Sequence, residues 1–241
     1  MKTQLFAAFM EQLFLPIPME KLLYAYLQEY PGPNCSAIPE IFAEGNILAS
    51  AADIMDGILA GWLLPTSGHY SGDGIIYRDD GQMKLVHDAW RHLPAIQKEI
   101  REKKSVFATA SYKGATVYKG AVAITPNEWE AIDGIVVSRE EMNAPPQENP
   151  AWHFLAEDPK RLKQYQAFLR QETGGSPIMP VHLFPDERGH CLLRLWRLDG
   201  IGNGMTGAAA GDTSFINYDG MNLVALSKRP KELLYASNDT K

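Results

Sequence analysis

The sequence predicts an α+β protein in which an N-terminal helical domain, residues 1–104, is followed by an α+β domain with an antiparallel sheet, residues 105–241. Three observations support this prediction. Between residues 20 and 62 the apolar side chains recur at helical spacing, whereas after residue 105 they form short runs separated by Lys-Gly and Asp-Gly turns. A charged segment, REKK at residues 101–104, lies between the two patterns and is typical of a solvated helix end.

The clearest predicted helix lies between residues 47 and 64. Ser50 and Asp53 form an S-x-x-D capping box, which satisfies free backbone amides at a helix start. Gly61 and Pro65 are expected to end the helix. The apolar residues on its single stripe of period 3.6 are Ile47, Ala51, Ile54, Met55, Ile58, Leu59 and Trp62.

Two shorter helices and a hairpin complete the N-terminal pattern. The first helix, with Leu22 to Leu27 on its inner face, ends at the Pro-Gly-Pro sequence of residues 31–33, and the second runs from Ser36 to Gly45. Strands at residues 75–77 and 83–86 flank an Asp-Asp-Gly turn. Three helices followed by a hairpin resemble the winged helix-turn-helix superfamily over about the first 100 residues.

That resemblance implies a third helix that enters the major groove of DNA and carries basic side chains for bases and phosphates. The segment 47–64 contains no Lys or Arg, whereas Asp53 and Asp56 add negative charge. Residues 1–104 carry nine Lys and Arg against thirteen Asp and Glu, a difference of −4. DNA contacts would depend on Arg78, Lys84 and Arg91, so the charges disfavour DNA binding and favour a winged helix that contacts protein.

The C-terminal domain shows strand and helix signals in alternation. Residues 125–128, sequence TPNE, combine a Thr cap, a Pro and a Glu at the third helical position, which predicts a helix start. A longer helix is predicted from Pro159 to Gly174. Two hairpins are expected, the first joining residues 178–184 to 190–198 and the second joining residues 213–218 to 221–226.

Cys35 and His69 are the candidate catalytic residues. Cys35 lies at a predicted helix start, where the helix dipole favours the thiolate, and His69 lies in a Gly-rich segment, GHYSGDG. The segment NCSAIPEIF is similar to the nucleophile helix of papain-like peptidases, which implies a Cys–His hydrolase. A small buried thiol and an exposed loop histidine explain the same residues without catalysis.

The remaining motifs indicate neither a cofactor nor a metal. Residues 202–207 match G-x-G-x-x-G, but Gly211 soon interrupts the helix that a dinucleotide site needs, so residues 200–211 are expected to form a flexible loop. His182, His190 and Cys191 lie around a predicted hairpin. His182 and His190 could meet across its strands, but no third residue has the spacing of a metal ligand. The adjacent acidic pairs, at residues 79–80 and 140–141, have diverging side chains and are explained by turns and solvated faces.

These observations favour a non-enzymatic protein-interaction module, such as an adaptor, an assembly factor or an immunity-type inhibitor, whose partner is another protein. The alternatives are a transcription regulator with a ligand-sensing C-terminal domain and a Cys–His hydrolase. Two cysteines indicate reduced thiols and a cytoplasmic protein. The net charge of −6 disfavours nucleic acid and anionic membranes, and no apolar run is long enough to span a bilayer.

Overall fold

A mixed sheet organises the chain in the computed structural model, which describes residues 24–31, 34–78, 80–89, 111–112, 115–116, 122–175, 179–183, 192–201, 209–213 and 222–228. Ten of the described strands belong to this sheet, and its main path has the order β1-β12-β3-β10-β11-β9. The strands are β1 (Tyr24–Tyr30), β2 (Ile47–Leu48), β3 (His69–Tyr77), β4 (Met83–Val86), β7 (Val122–Ala123), β8 (Ile135–Val137), β9 (Val181–His182), β10 (Leu192–Asp199), β11 (Ala209–Thr213) and β12 (Asn222–Lys228), with β5 (Ser111–Tyr112) and β6 (Ala115–Thr116) forming a separate pair.

Among the described residues, five α-helices pack against the sheet. They are α1 (Asn34–Ala43), α2 (Ala51–Leu59), α3 (Pro126–Ala131), α4 (Pro150–Ala156) and α5 (Pro159–Thr173). Helices α2, α4 and α5 contribute to one apolar core, whereas α1 and α3 contribute to a second. Successive residues of β3 alternate between these cores, with Ile75 in the first and Ile76 in the second. Because both faces are covered, β3 is buried along its whole length.

A break in the register of β10 changes which of its residues face each core. Leu193 and Leu195 belong to the core with α1 and α3, whereas Trp196 and Leu198 belong to the core with α2, α4 and α5. The pairing of β10 with β3 shifts between Leu195 and Arg197, as a β-bulge does. The shift lets one strand supply large side chains to both cores.

The winged-helix prediction is wrong. The described part of the segment predicted as the first helix, Tyr24–Tyr30, forms β1, which pairs with β12 in antiparallel register. Ile47 and Leu48, predicted on the third helix, form β2 instead, and the helix begins after Ser50. Apolar residues at positions such as Tyr26 and Leu27 satisfy a helical stripe locally, but a partner strand about 200 residues later decides the conformation.

Local signals were predicted more accurately. The helix α1, the capping box of Ser50 and Asp53, and the hairpin of β3 and β4 are all confirmed. The capping box of Thr125 and Glu128 begins α3, and the predicted helix from Pro159 ends at Gly174 in a left-handed conformation. Each of these features depends on residues within a few positions of one another.

The fold class and the first of the two predicted C-terminal hairpins require correction. Strand β9 pairs in parallel with β11, and β10 pairs with β3, β7 and β11, so the two segments do not form a hairpin with each other. Strand β12, which contains most of the second segment of the other predicted hairpin, pairs with β1, β2 and β3. Residues 214–218 of that hairpin lie outside the described residues. The sheet is therefore mixed and combines strands from before and after residue 104. The predicted boundary at 104/105 lies outside the described residues and stays a prediction.

Candidate interaction surface

One end of the sheet gathers several connecting loops and forms the candidate surface. His69, the first residue of β3, lies opposite Leu198 near the end of β10 and opposite Asn222 at the start of β12. At the same end, Tyr30 finishes β1 opposite Leu223. We refer to this part of the molecule as the loop end. It receives residues 60–68, the connection from α2 to β3, which we call the Trp62 loop.

The Trp62 loop begins where α2 stops. The backbone N–H groups of Trp62 and Leu63 both donate to the carbonyl of Gly57, over 2.9 and 3.2 Å. Gly61 has a φ of +73°, a conformation that glycine adopts without steric cost. This turn buries Leu63, whereas Trp62 is 36% exposed and Leu64 is 65% exposed.

Ile201, two residues after β10, and Asn222 of β12 hold the Trp62 loop at its middle and at its end. The N–H of Ile201 donates to the Pro65 carbonyl over 2.7 Å, and the N–H of Asn222 donates to the Gly68 carbonyl over 3.4 Å. Gly200 lies so close to the loop that a Cβ atom there would come within 2.5 Å of the Ser67 carbonyl oxygen. The loop is therefore fixed in place, although it is not part of a regular element.

His69 contacts the Trp62 loop from the protein interior. Its side chain is fully buried, and Nε2 lies 3.2 Å from the Leu64 carbonyl oxygen, which requires the proton on Nε2. Nδ1 lies 3.3 Å from Oε1 of Glu29 without making a hydrogen bond, and Asn222 Nδ2 donates to the same oxygen over 3.1 Å. Burial lowers the pKa of His69, although the Leu64 carbonyl and Glu29 act in the opposite direction.

The predicted Cys–His pair gains no support from this geometry. His69 lies in a strand rather than at a loop tip, and its Nε2 is engaged by the backbone of the Trp62 loop. The side chain of Cys35 lies outside the described residues, although its backbone belongs to α1. The role that the structure gives to His69 is to fix the loop.

A buried acid, Asp73, which sequence reasoning did not identify, holds a different histidine. Asp73 lies in β3 and accepts from the N–H of Ala51 over 2.7 Å and from the N–H of Asp88 over 3.3 Å. His87 Nδ1 lies 3.1 Å from Asp73 Oδ1, and its ring stacks on Phe154 with centroids 3.9 Å apart. The only local signal was an acidic residue inside a strand that is otherwise buried.

The His87 side chain is 46% exposed, so the pair joins a buried carboxylate to a ring at the surface. Burial lowers the pKa of His87, but the hydrogen bond and negative charge of Asp73, with Glu157 and Asp88 nearby, outweigh it and raise the pKa overall. Asp73 therefore favours the protonated imidazole and fixes the orientation of its ring.

The residues considered for DNA contact have other partners. Arg78 pairs with Asp80 and lies over the ring of Trp129. Lys84 is buried, and its ammonium donates to the carbonyls of Trp129 and Ile132, so it stabilises the fold and does not face solvent. Arg91 lies outside the described residues.

The metal and nucleotide candidates receive no support within the described residues. His182 is exposed in β9, whereas His190, Cys191 and the Gly-rich residues 202–207 lie outside the described part. No group of three or more His, Cys, Asp or Glu side chains among the described residues is arranged to hold a metal. Across the same residues, no helix has the length and apolar character needed to cross a membrane.

Comparisons with known proteins identify the fold. No family model matches the sequence, and no curated protein matches it. A solved structure described as "Accommodation of massive sequence variation in Nanoarchaeota by the C-type lectin fold" is similar to this chain, with a TM-score of 0.56 and 14% sequence identity over 85% of this chain and 98% of that chain. The chain therefore has a fold like that of C-type lectins, which also overturns the winged-helix prediction.

Proposed function

We propose that this chain is a non-enzymatic protein-binding module that presents the Trp62 loop to another protein. The observation that carries the proposal is the combination of a fixed backbone and exposed apolar side chains. The loop is hydrogen-bonded to β10 and β12 or their flanking residues, yet it exposes 36% of Trp62 and 65% of Leu64. Binding residues are often found on loops that a rigid scaffold positions.

The energetics favour a protein partner for such a loop. Trp is enriched among the residues that contribute most to protein interfaces, because it buries a large apolar surface. A loop that is already ordered loses little conformational entropy on binding, so more of the contact energy appears as affinity. Trp62 and Leu64 flank the buried Leu63, so both exposed side chains belong to one short segment that a partner can contact.

The fold comparison supports the same proposal. The similar structure is described as a C-type lectin fold that accommodates massive sequence variation. A fold that accommodates sequence variation can carry different binding sites on one scaffold, which suits a binding module. The net charge of −6 favours a protein partner over nucleic acid or an anionic membrane. The low cysteine content favours a cytoplasmic location for the module.

The test is affinity capture from the native host followed by titration of the captured protein. The wild type is compared with a Trp62→Ala, Leu64→Ala double variant and with Ile135→Ala, a control that alters an exposed apolar residue on β8. We expect wild type and control to retain the same protein and the double variant to lose at least about 30-fold in affinity, as hot-spot residues do. Equal capture by all three proteins would refute the role of this loop.

A further inference from the structure

The ring of His87 lies between the sheet and the C-terminal end of α4. On one side, Nδ1 lies 3.1 Å from Oδ1 of Asp73, which is buried in β3. On the other side, the ring stacks on Phe154 of α4, with an angle of 14° between the two ring planes. The His87 side chain is nearly half exposed, so protons reach it from solvent while the protein stays folded. One titratable ring therefore connects a buried carboxylate to the end of a helix.

The backbone is strained on both sides of this ring. Asp88, which follows His87 directly, has a φ of +46°, and Glu157, at the end of α4, has a φ of +58°. Within the described part of the chain, these are the two non-glycine residues with positive φ. Such conformations persist only where surrounding contacts hold them. Here the Asp88 N–H donates to Asp73 over 3.3 Å, and the Glu157 N–H donates to the Phe154 carbonyl over 3.2 Å.

Three carboxylates from three elements interact with His87. They are Asp73 in β3, Asp88 after β4 and Glu157 at the end of α4, and Glu157 also interacts with Arg161 of α5. A protonated imidazole attracts all three carboxylates and thereby draws the end of α4 towards the sheet. A neutral imidazole loses this attraction and leaves the three negative charges to repel one another. The charge of His87 therefore determines whether the contacts around the two strained residues are favourable.

We propose that His87 is a pH-sensitive switch that holds the C-terminal end of α4 against β3 while its imidazole is protonated and lets that end open when the proton leaves. Glu157 then relaxes from its left-handed conformation, because the contacts that held it are weaker. Burial lowers the pKa of His87, but the carboxylates of Asp73, Glu157 and Asp88 outweigh it and raise the pKa in the folded protein. The contact is therefore fully formed below the unfolded value of about 6.5 and is lost as pH rises through the raised value. This switch involves other residues than the Trp62 loop.

Hydrogen exchange of backbone amides tests the switch in the full chain. Protection factors, which correct for the intrinsic effect of pH on exchange, are measured from about pH 6 to about pH 9 for residues 153–158 and for the control helix α3. We expect the protection of residues 153–158 to fall roughly 2- to 5-fold, as expected for a partly exposed ion pair, while that of α3 stays constant. The midpoint of this fall should coincide with the titration of the His87 imidazole, followed by NMR.

Three variants distinguish a switch from a contact that is only structural. His87→Gln keeps a donor for Asp73 but does not titrate, so the pH dependence of residues 153–158 should disappear. Glu157→Gly adopts the left-handed helix end without strain, so that end should stay protected at both pH values. Its matched control, Glu157→Ala, removes the same carboxylate but keeps the strain, and should still lose protection as pH rises. Constant protection in the wild type, an unchanged pH dependence in His87→Gln, or equal behaviour of the two Glu157 variants would overturn the proposal.

Discussion

Replacing Asp73 tests how the structure joins α2 to the sheet. Its carboxylate is fully buried and accepts two backbone N–H groups, from Ala51 on Oδ2 and from Asp88 on Oδ1. Hydrogen bonds to a charged group contribute about 1.5–3 kcal/mol each, and unsatisfied buried donors remain when the acceptor is removed. We discount the bond to half-exposed His87, because solvent screens it, and expect Asp73→Ala to cost about 3–5 kcal/mol.

Asp73→Asn provides the matched comparison. The side chain keeps its shape, but one of the two acceptor oxygens becomes an amide nitrogen that faces an N–H donor. We expect an intermediate loss, about 2 kcal/mol or more, measured as the shift in the midpoint of urea unfolding at unchanged m-value. We also expect the pKa of His87 to fall in this variant, measured by NMR titration of the imidazole. If Asp73→Ala lowered the free energy of unfolding by less than about 1 kcal/mol, the two backbone hydrogen bonds to Asp73 would not stabilise the fold as we argue.

Four further predictions follow from particular side chains. Ile58→Asp should prevent folding, since it places a carboxylate where the side chain is 4% exposed, and a thermal transition like that of the wild type would contradict this. Gly200→Ala should displace the Trp62 loop through the Ser67 carbonyl and weaken partner binding about 10-fold or more while circular dichroism stays unchanged. Because burial lowers the pKa of His69, the unfolded state binds more protons at this residue, so the contribution of His69 to stability should fall as pH decreases below about 6.5. The raised pKa of His87 acts in the opposite direction, so the test is the difference from His69→Gln, whose free energy of unfolding should change less unfavourably than that of the wild type from about pH 7 to about pH 5. Limited proteolysis between residues 101 and 110 should give two fragments that stay associated on a sizing column, because their strands share one sheet, whereas separate elution would favour independent domains.

The features that the sequence predicted are those that neighbouring residues determine. Ser50 and Asp53 are three positions apart, and their reciprocal hydrogen bonds of 3.2 and 2.8 Å need no tertiary partner. The same holds for Thr125 and Glu128 at the start of α3. Such motifs fix where a helix begins, and they are recognisable in a single sequence.

The features that the sequence did not predict depend on distant partners. Residues 24–30 form a strand because β12 is present to pair with them, and their own pattern also fits a helix. Asp73 acquires its role from Ala51, at the start of a helix 22 positions earlier, and from His87, which the bend after β4 brings alongside. Because these contacts come from distant residues, the role of a single acidic residue in a strand pattern cannot be predicted from the sequence.

The pairing of β1 with β12 also has a consequence for biosynthesis. The side chains of Gln28 and Ser227, 199 positions apart, hydrogen-bond across these two strands. At ribosomal rates of about 5–20 residues per second, β1 waits roughly 10–40 seconds before its neighbour is synthesised. The strand β3, which is buried in the folded protein, waits similarly for β10 and β12, so part of its backbone stays unpaired during translation. A nascent chain arrested before Asn222 lacks the strand that lies between β1 and β3, so each of these strands keeps an edge without this neighbour.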